Sequence, residues 1–190
     1  SIFKNVTLEL NKNKIIGITG PSGSGKTTLV DIICGLLDPT SGHIFIDDID
    51  LENKNKSTYQ NSISYCSYSS LLINDSIKNN ILFFQEENEE KLSKMIKFCN
   101  LDAFIKNLKF GINTKVGDDS SLISAGESQR IAFARTLYSD KEIIILDEFT
   151  SNLDAKSEIE ILQKIKKIKQ NKLMIIISHK ENPLSICDEI

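Results

Sequence analysis

Gly20, Pro21, Ser22, Gly23, Ser24, Gly25, Lys26, Thr27 and Thr28 follow one another in the pattern G-x-x-x-x-G-K-[ST]. Each residue type meets a need of phosphate binding. Glycines let the backbone turn tightly enough to aim several N–H groups at one point, and a helix starting there adds its positive end. Lys26 brings a mobile cation to the outer phosphates, and the Thr27 hydroxyl suits a Mg²⁺ ion. A second set of groups lies far downstream. Ile143, Ile144, Ile145 and Leu146 form an apolar run that ends in two carboxylates, Asp147 and Glu148. Asp147 is assigned to the shell around Mg²⁺, and Glu148 to polarising an attacking water. On their own these acids would read as the solvated end of a core strand. With the glycine-lysine loop upstream, both halves of a phosphoryl-transfer site are present, and a nucleoside triphosphate is the expected ligand.

Such groups need elements to hold them. The apolar residues 15–19 read as a strand entering the loop, and 28–36 as a helix leaving it, with Leu29, Ile32, Ile33 and Leu36 on its apolar stripe. Residues 2–10 alternate loosely and read as another strand. His43 to Ile46 read as a strand with Asp47 and Asp48 at a hairpin tip, 53–57 as polar loop, and 63–66 as a short strand. His43 has no partner ligand in the pattern and is expected to be exposed. Helical periodicity then takes over at 76–84, 89–99, 101–108 and 125–138, with a loop at 111–119. Strand patterns return at 142–146 and 173–177, with a helix between them. Strand–helix alternation at both ends of a helical insert describes an α/β P-loop core carrying an all-helical subdomain.

The bulk composition excludes several classes. A net charge of −3 argues against nucleic acid as a partner, because a phosphate backbone calls for a basic face. The lysines among 164–169 alternate with isoleucines and read as the solvated face of a helix. Cys34, Cys66, Cys99 and Cys187 are widely spaced, with no C-x-x-C, which points to reduced thiols rather than a metal site. No apolar run approaches the length of a membrane span, and no signal peptide is visible. Ser1 is not an initiator Met, which fits a piece of a longer chain.

Residues 124–130, Ser-Ala-Gly-Glu-Ser-Gln-Arg, resemble the signature motif of ATP-binding cassette (ABC) proteins, whose usual form is Leu-Ser-Gly-Gly-Gln. Ile123 stands for the Leu, Ala125 for the first Gly and Glu127 for the Gln. The motifs of this family run in the same order through essentially the whole chain. Residues 71–81 and 114–118 are similar to stretches of its exporter branch, with Asp118 where a Glu is usual. The resemblance implies one nucleotide-binding domain over 1–190. Residues 1–73 and 139–190 would form a RecA-like core with a small antiparallel β-subdomain, and 74–138 the helical subdomain. It implies that Lys26, Glu148 and His179 act on ATP, and that Thr27 and Asp147 serve Mg²⁺. Ser124, Gly126, Glu127 and Asp154 would face a second copy across a dimer, homo- or heteromeric. The other partners implied are transmembrane domains of an exporter on the same polypeptide. The implied place is the cytoplasmic face of the cell membrane, with this chain itself soluble.

Two departures bear on activity. The position of the family's Q-loop glutamine falls on Tyr68, and a phenol lacks the amide oxygen suited to Mg²⁺. Hydrolysis, or its coupling to transport, is therefore expected to be weakened rather than lost. Glu127 adds negative charge where a triphosphate would dock. The family's adenine-stacking aromatic lies upstream of Ile2 and Phe3, outside this chain, so these residues alone are expected to bind nucleotide weakly. A soluble ABC ATPase acting on ribosomes or DNA is a second reading. It would call for coiled-coil insertions or paired cassettes, neither of which is seen here. A degenerate cassette that binds ATP and regulates a partner is a third, favoured by Tyr68 and opposed by Glu148 and His179. A Rossmann dehydrogenase is excluded by the Lys-Thr after the glycines.

Overall fold

Isoleucine dominates the strands of this chain, and its β-branched side chain suits a sheet covered on both faces. A computed structural model describes residues 3–51, 53–69, 71–117 and 123–190. In chain order the elements are β1 (Lys14–Ile18), α1 (Lys26–Ile33), β2 (Phe45–Ile46), β3 (Ile49–Asp50), α2 (Asn53–Gln60) and β4 (Ile63–Cys66). There follow β5 (Asp75–Ser76), α3 (Ile77–Leu82), α4 (Glu89–Phe98), α5 (Asp102–Asn107), β6 (Lys115–Val116) and α6 (Ala125–Tyr138). The chain ends with β7 (Ile143–Asp147), α7 (Ala155–Lys167), β8 (Leu173–Ile177) and α8 (Glu181–Leu184).

The main sheet is parallel, in the order β1-β8-β7-β4, with Ile16 opposite Ile175, Ile145 opposite Ile175, and Tyr65 opposite Ile145. Alternation along each strand divides the core in two. Ile15, Ile144, Leu146, Met174 and Ile176 pack with Ile131 and Phe133 of α6 and with Ile161 and Ile165 of α7. Ile16, Ile145, Ile175 and Ile177 face the other way, onto Val30 and Cys34 at α1. Each fully buried isoleucine contributes roughly 1.5–3 kcal/mol by leaving water. Beside β1 the last residues add a partial edge: Gly17 N–H donates to Glu189 O, and Asp188 N–H to Ile15 O, both at 2.7 Å.

The helices over 77–138 are assembled on α6. Among the described residues side-chain caps start four helices, with Ser76 on α3, Asn88 on α4, Ser124 on α6 and Asp154 on α7 each accepting from a backbone N–H three residues on. Asn80 is fully buried and satisfies the bend before α3, accepting from Ile73 N–H and donating to Ile73 O and Ser76 O. Arg135 of α6 reaches the same bend, donating to Asn80 O, Asn80 Oδ1 and Leu71 O. Among the described residues no helix is long and apolar enough to cross a membrane.

Several local expectations are corrected. Residues 3–10 form no strand. Asn5 has φ 53°, and Val6 and Leu8 are about half exposed, so the loose alternation finds no partner to reward it. Ile2 lies outside the described residues. The antiparallel element near the N-terminus is the β2–β3 hairpin, whose tip is Asp47 and Asp48, both with positive φ. His43 is exposed, as expected, with Nδ1 2.8 Å from Asp50. The expected polar loop at 53–57 is instead the start of α2. Tertiary anchors hold that helix: Tyr59 Oη donates to Ile33 O at 2.7 Å and Gln60 Nε2 to Gly35 O at 2.9 Å. The loop at 111–119 contains a 3₁₀ turn, Gly111–Asn113, and then β6, which pairs with β5. Asp118 and Asp119 lie outside the described residues. Lys164 is not merely solvated, since its Nζ donates to Phe98 O at 2.8 Å and satisfies the end of α4.

Candidate active site

Strand β1 delivers the glycine-lysine loop at its carboxyl end, and α1 begins directly after it. Gly25 caps α1 with φ 97°, a left-handed conformation, and among the described residues no side chain bonds the first N–H groups of the helix. Those groups remain available to an anion. Gly20 has φ 150°, and a Cβ there would lie 2.9 Å from Ser24 Oγ, so a side chain would distort the loop. Lys26 is folded back onto this loop, donating to Gly20 O at 2.8 Å and Pro21 O at 3.0 Å. An incoming phosphate would exchange those two carbonyls for charged oxygens, which make stronger partners for an ammonium group.

Asp147 ends β7, and Tyr65 on the adjacent β4 donates its hydroxyl to Asp147 Oδ2 at 2.8 Å. Burial, and then this bond, hold the Tyr65 phenol well above its usual range, so it stays a donor. Glu148 follows with φ 47°, its N–H bonded to Ile177 O at 3.0 Å. That turn brings its carboxylate to the loop after β8. Glu148 Oε1 lies 2.8 Å from His179 Nδ1 and accepts from His179 N–H at 3.2 Å. With Nδ1 as the donor, Nε2 is left to serve a substrate.

One cavity of about 450 Å³ brings these groups together, lined by Lys26, Thr27, Tyr68, Asp147, Glu148 and His179, with Gly20, Pro21 and Ser22 along the glycine loop. Gly23, Ser24, Gly25 and Thr28 shape the loop and helix start without lining that cavity. Thr27 and Asp147 present oxygen donors only, the chemistry Mg²⁺ prefers. Among the described residues no group of three or more His, Cys, Asp or Glu could hold a metal. The fit is therefore to an ion that takes its remaining ligands from phosphate and water, and these residues suit it.

Ser124, Gly126, Glu127 and Asp154 do not line this cavity. Ser124 caps α6, and Glu127 turns back onto it: Oε2 accepts from Ser124 N–H at 2.7 Å and from Ser124 Oγ at 2.8 Å. The Glu127 carboxylate, whose charge is expected near a docking triphosphate, is turned back in this structure to complete the cap of α6. Gly126 lies against the segment after Glu148, where a Cβ would be 2.7 Å from Asn152 O. Asp154 accepts from Ser157 N–H and Ser157 Oγ as the cap of α7.

Two contributors carried no role in the sequence reading. Tyr65 sits one strand away from Asp147, and parallel register alone could have suggested the contact. Gln129, fully buried on α6, donates to Glu148 O at 3.1 Å and Ser151 Oγ at 3.0 Å and accepts from Asn152 N–H at 2.9 Å. Its amide fixes the segment that follows the second carboxylate, and no local pattern announces that.

Comparison with known proteins agrees with this geometry. The family model described as ABC transporter matches residues 3–151. A putative export ATP-binding/permease protein of Rickettsia typhi is 35% identical over 190 residues, covering all of this chain and 33% of that protein. A probable ABC transporter ATP-binding/permease protein of Haemophilus influenzae is 36% identical, with 34% of its length covered. An ATP-dependent lipid A-core flippase of Pectobacterium atrosepticum is 34% identical over 190 residues, covering 99% of this chain and 33% of that protein. Among solved structures, a bacterial Atm1-family ABC exporter with ATP bound superposes with a TM-score of 0.91 at 29% identity, over 98% of this chain and 33% of that one. The chain thus spans about a third of the length of these relatives. With the phosphate loop, the paired carboxylates and the histidine on one cavity, and the family model matching most of the sequence, the chain belongs to the ABC transporter family.

Proposed function

We propose that this chain binds and hydrolyses ATP, and that two such domains close around nucleotide to drive export through attached transmembrane domains. The observation that carries the reading is the single cavity joining Lys26 and Thr27 to Asp147, Glu148 and His179. The loop from Gly20 to Gly25 and the open start of α1 bind the triphosphate, and Lys26 leaves its two carbonyls to neutralise the outer phosphates. Mg²⁺, when bound, would balance the phosphate charge, with Thr27 and Asp147 holding it and Tyr65 orienting Asp147. Glu148 accepts a hydrogen bond from the attacking water and draws its proton as the water oxygen bonds the γ-phosphorus and the bond from that phosphorus to the β,γ-bridging oxygen breaks, releasing ADP and phosphate. His179 keeps Glu148 oriented through Nδ1 and offers Nε2 to the transferring phosphoryl group.

The chain is read as a core of 1–73 and 139–190 with a helical lobe of 74–138; the packing of α3 and α4 against α6 supports the reading, and the exporter-like relatives support its attachment to transmembrane domains. They also support a site at the cytoplasmic face of a membrane, beside transmembrane segments. Ser124, Gly126, Glu127 and Asp154 would then meet the triphosphate held by the second copy. In the intact protein, Glu148→Gln is expected to cut ATP turnover about 100-fold or more while nucleotide still binds and a nucleotide-bound dimer accumulates. Turnover at the unmutated rate would refute the assignment.

A further inference from the structure

Behind the cavity lies a charged cluster that the mechanism above does not use. Glu158, in the first turn of α7, is only 4% exposed. A carboxylate that far from water needs compensation, and it receives several partners. Lys180 Nζ lies 3.2 Å from Oε1, and Asn182 Nδ2 donates to Oε2 at 2.9 Å. The Thr150 side chain bonds the same carboxylate, and Lys180 Nζ also donates to Thr150 O at 3.1 Å.

The positions of these partners give the cluster its meaning. Thr150 is two residues after Glu148, and Lys180 directly follows His179. Lys180 N–H donates to Ser178 Oγ at 3.1 Å, and that oxygen lies 3.5 Å from Glu148 Oε2. The loop bearing Glu148 and the loop bearing His179 therefore meet twice. In front they meet through the carboxylate–imidazole contact, and behind through Glu158. A buried ion pair adds little net stability compared with well-packed apolar residues. Directional bonds from one acid to two loops do, however, fix the separation of those loops. Misplacing reacting groups by about 1 Å can cost on the order of 100-fold in rate.

We infer that Glu158 is a positioning residue: with Lys180 it clamps the loop of Glu148 to the loop of His179 and so holds both at the working distance for hydrolysis. The inference rests on the ATPase reading and adds to it a residue that never touches the nucleotide. It also assigns a purpose to Lys180, whose ammonium group is spent on the back of the site rather than on phosphate.

The test is steady-state ATP hydrolysis by the intact protein, unmutated and as Glu158→Gln, Lys180→Gln and Lys180→Arg, with thermal unfolding recorded for each. Glu158→Gln and Lys180→Gln are expected to lower kcat about tenfold to 100-fold. KM for ATP should stay within about threefold in both. The unfolding midpoint of Glu158→Gln should stay within a few degrees, while that of Lys180→Gln falls further because the buried carboxylate loses its cation. Lys180→Arg should keep most of the rate. A kcat unchanged in both glutamine variants would overturn the clamp while leaving the ATPase reading intact. So would parallel losses of kcat, affinity and stability, which mark a structural staple. Lys180→Gln decides the matter if Glu158→Gln does not fold. No hydrolysis by the unmutated protein would overturn both readings together.

Discussion

Replacing Gln129 by leucine preserves size and removes all three of the bonds this side chain makes behind the candidate site. Glu148 O loses one of its two donors and keeps Ser151 N–H at 3.0 Å, Ser151 Oγ loses its donor, and Asn152 N–H loses its acceptor. A hydrogen bond lost by a group that keeps another partner costs about 0.5–1.5 kcal/mol. Glu148 O falls in that range. Asn152 is exposed, so its N–H regains a water at a cost below about 1 kcal/mol. Ser151 can rotate its hydroxyl to another acceptor. The leucine returns roughly 1 kcal/mol through its extra apolar burial. The net expectation is a loss of at most about 1.5 kcal/mol, or roughly 6 °C in unfolding midpoint for a chain of this size. Urea denaturation followed by far-ultraviolet circular dichroism measures it, provided the slope with denaturant is unchanged. Gln129→Glu is the companion variant, since it keeps the acceptor for Asn152 and loses the donor to Glu148. A leucine variant less stable by about 3 kcal/mol or more would show that the segment rests on Gln129 alone, and would refute the reasoning.

Gly126→Ala should lower stability by about 1–3 kcal/mol, although alanine ordinarily favours a helix, because the new methyl would sit 2.7 Å from Asn152 O; a higher unfolding midpoint would contradict this. Tyr68→Gln is expected to raise ATP turnover by restoring an amide oxygen to the cavity wall, and an equal or lower rate would count against it. Asp188 is held below the ordinary carboxylate range, first by Lys169 at 2.6 Å and then by Ile15 N–H at 2.7 Å. A carboxyl depressed on folding stabilises the chain above its unfolded pKa, near 4, and that contribution fades as pH falls through its lower folded pKa. Asp188→Asn should therefore weaken the acid-side fall in unfolding midpoint, and an unaltered acid limb would refute the assignment.

What was legible in the sequence was whatever a short window carries. Glycines at fixed offsets before Lys26 announce a tight anion loop, and the apolar run into Asp147 announces a buried strand ending at a crevice. Residues 3–10 misled because alternation describes a strand only when a neighbour completes its hydrogen bonds. At α2 the reverse held: a polar stretch became helical through Tyr59 and Gln60, whose partners lie 25 or more residues earlier. The contacts of Tyr65 with Asp147 and of Gln129 with the segment after Glu148 arise only when separate elements meet. The same is true of Lys164, which looked solvated beside its neighbouring lysines until α4 supplied carbonyls to bind.

The register of β1 against β8 has a consequence for how the chain comes into being. Ile16 pairs with Ile175, so the strand that presents the glycine-lysine loop takes as its neighbour a strand made about 160 residues later. At a synthesis rate of about 5–20 residues per second, that partner emerges roughly 8–32 s afterwards. During that interval the Ile15–Ile16 edge lacks the one strand that flanks it among the described residues, and a ribosome-bound chain without β8 cannot hold the loop in its working shape. Capacity to bind phosphate should therefore appear late and abruptly during translation. The isoleucine-rich first strand is the segment that most needs protection until then.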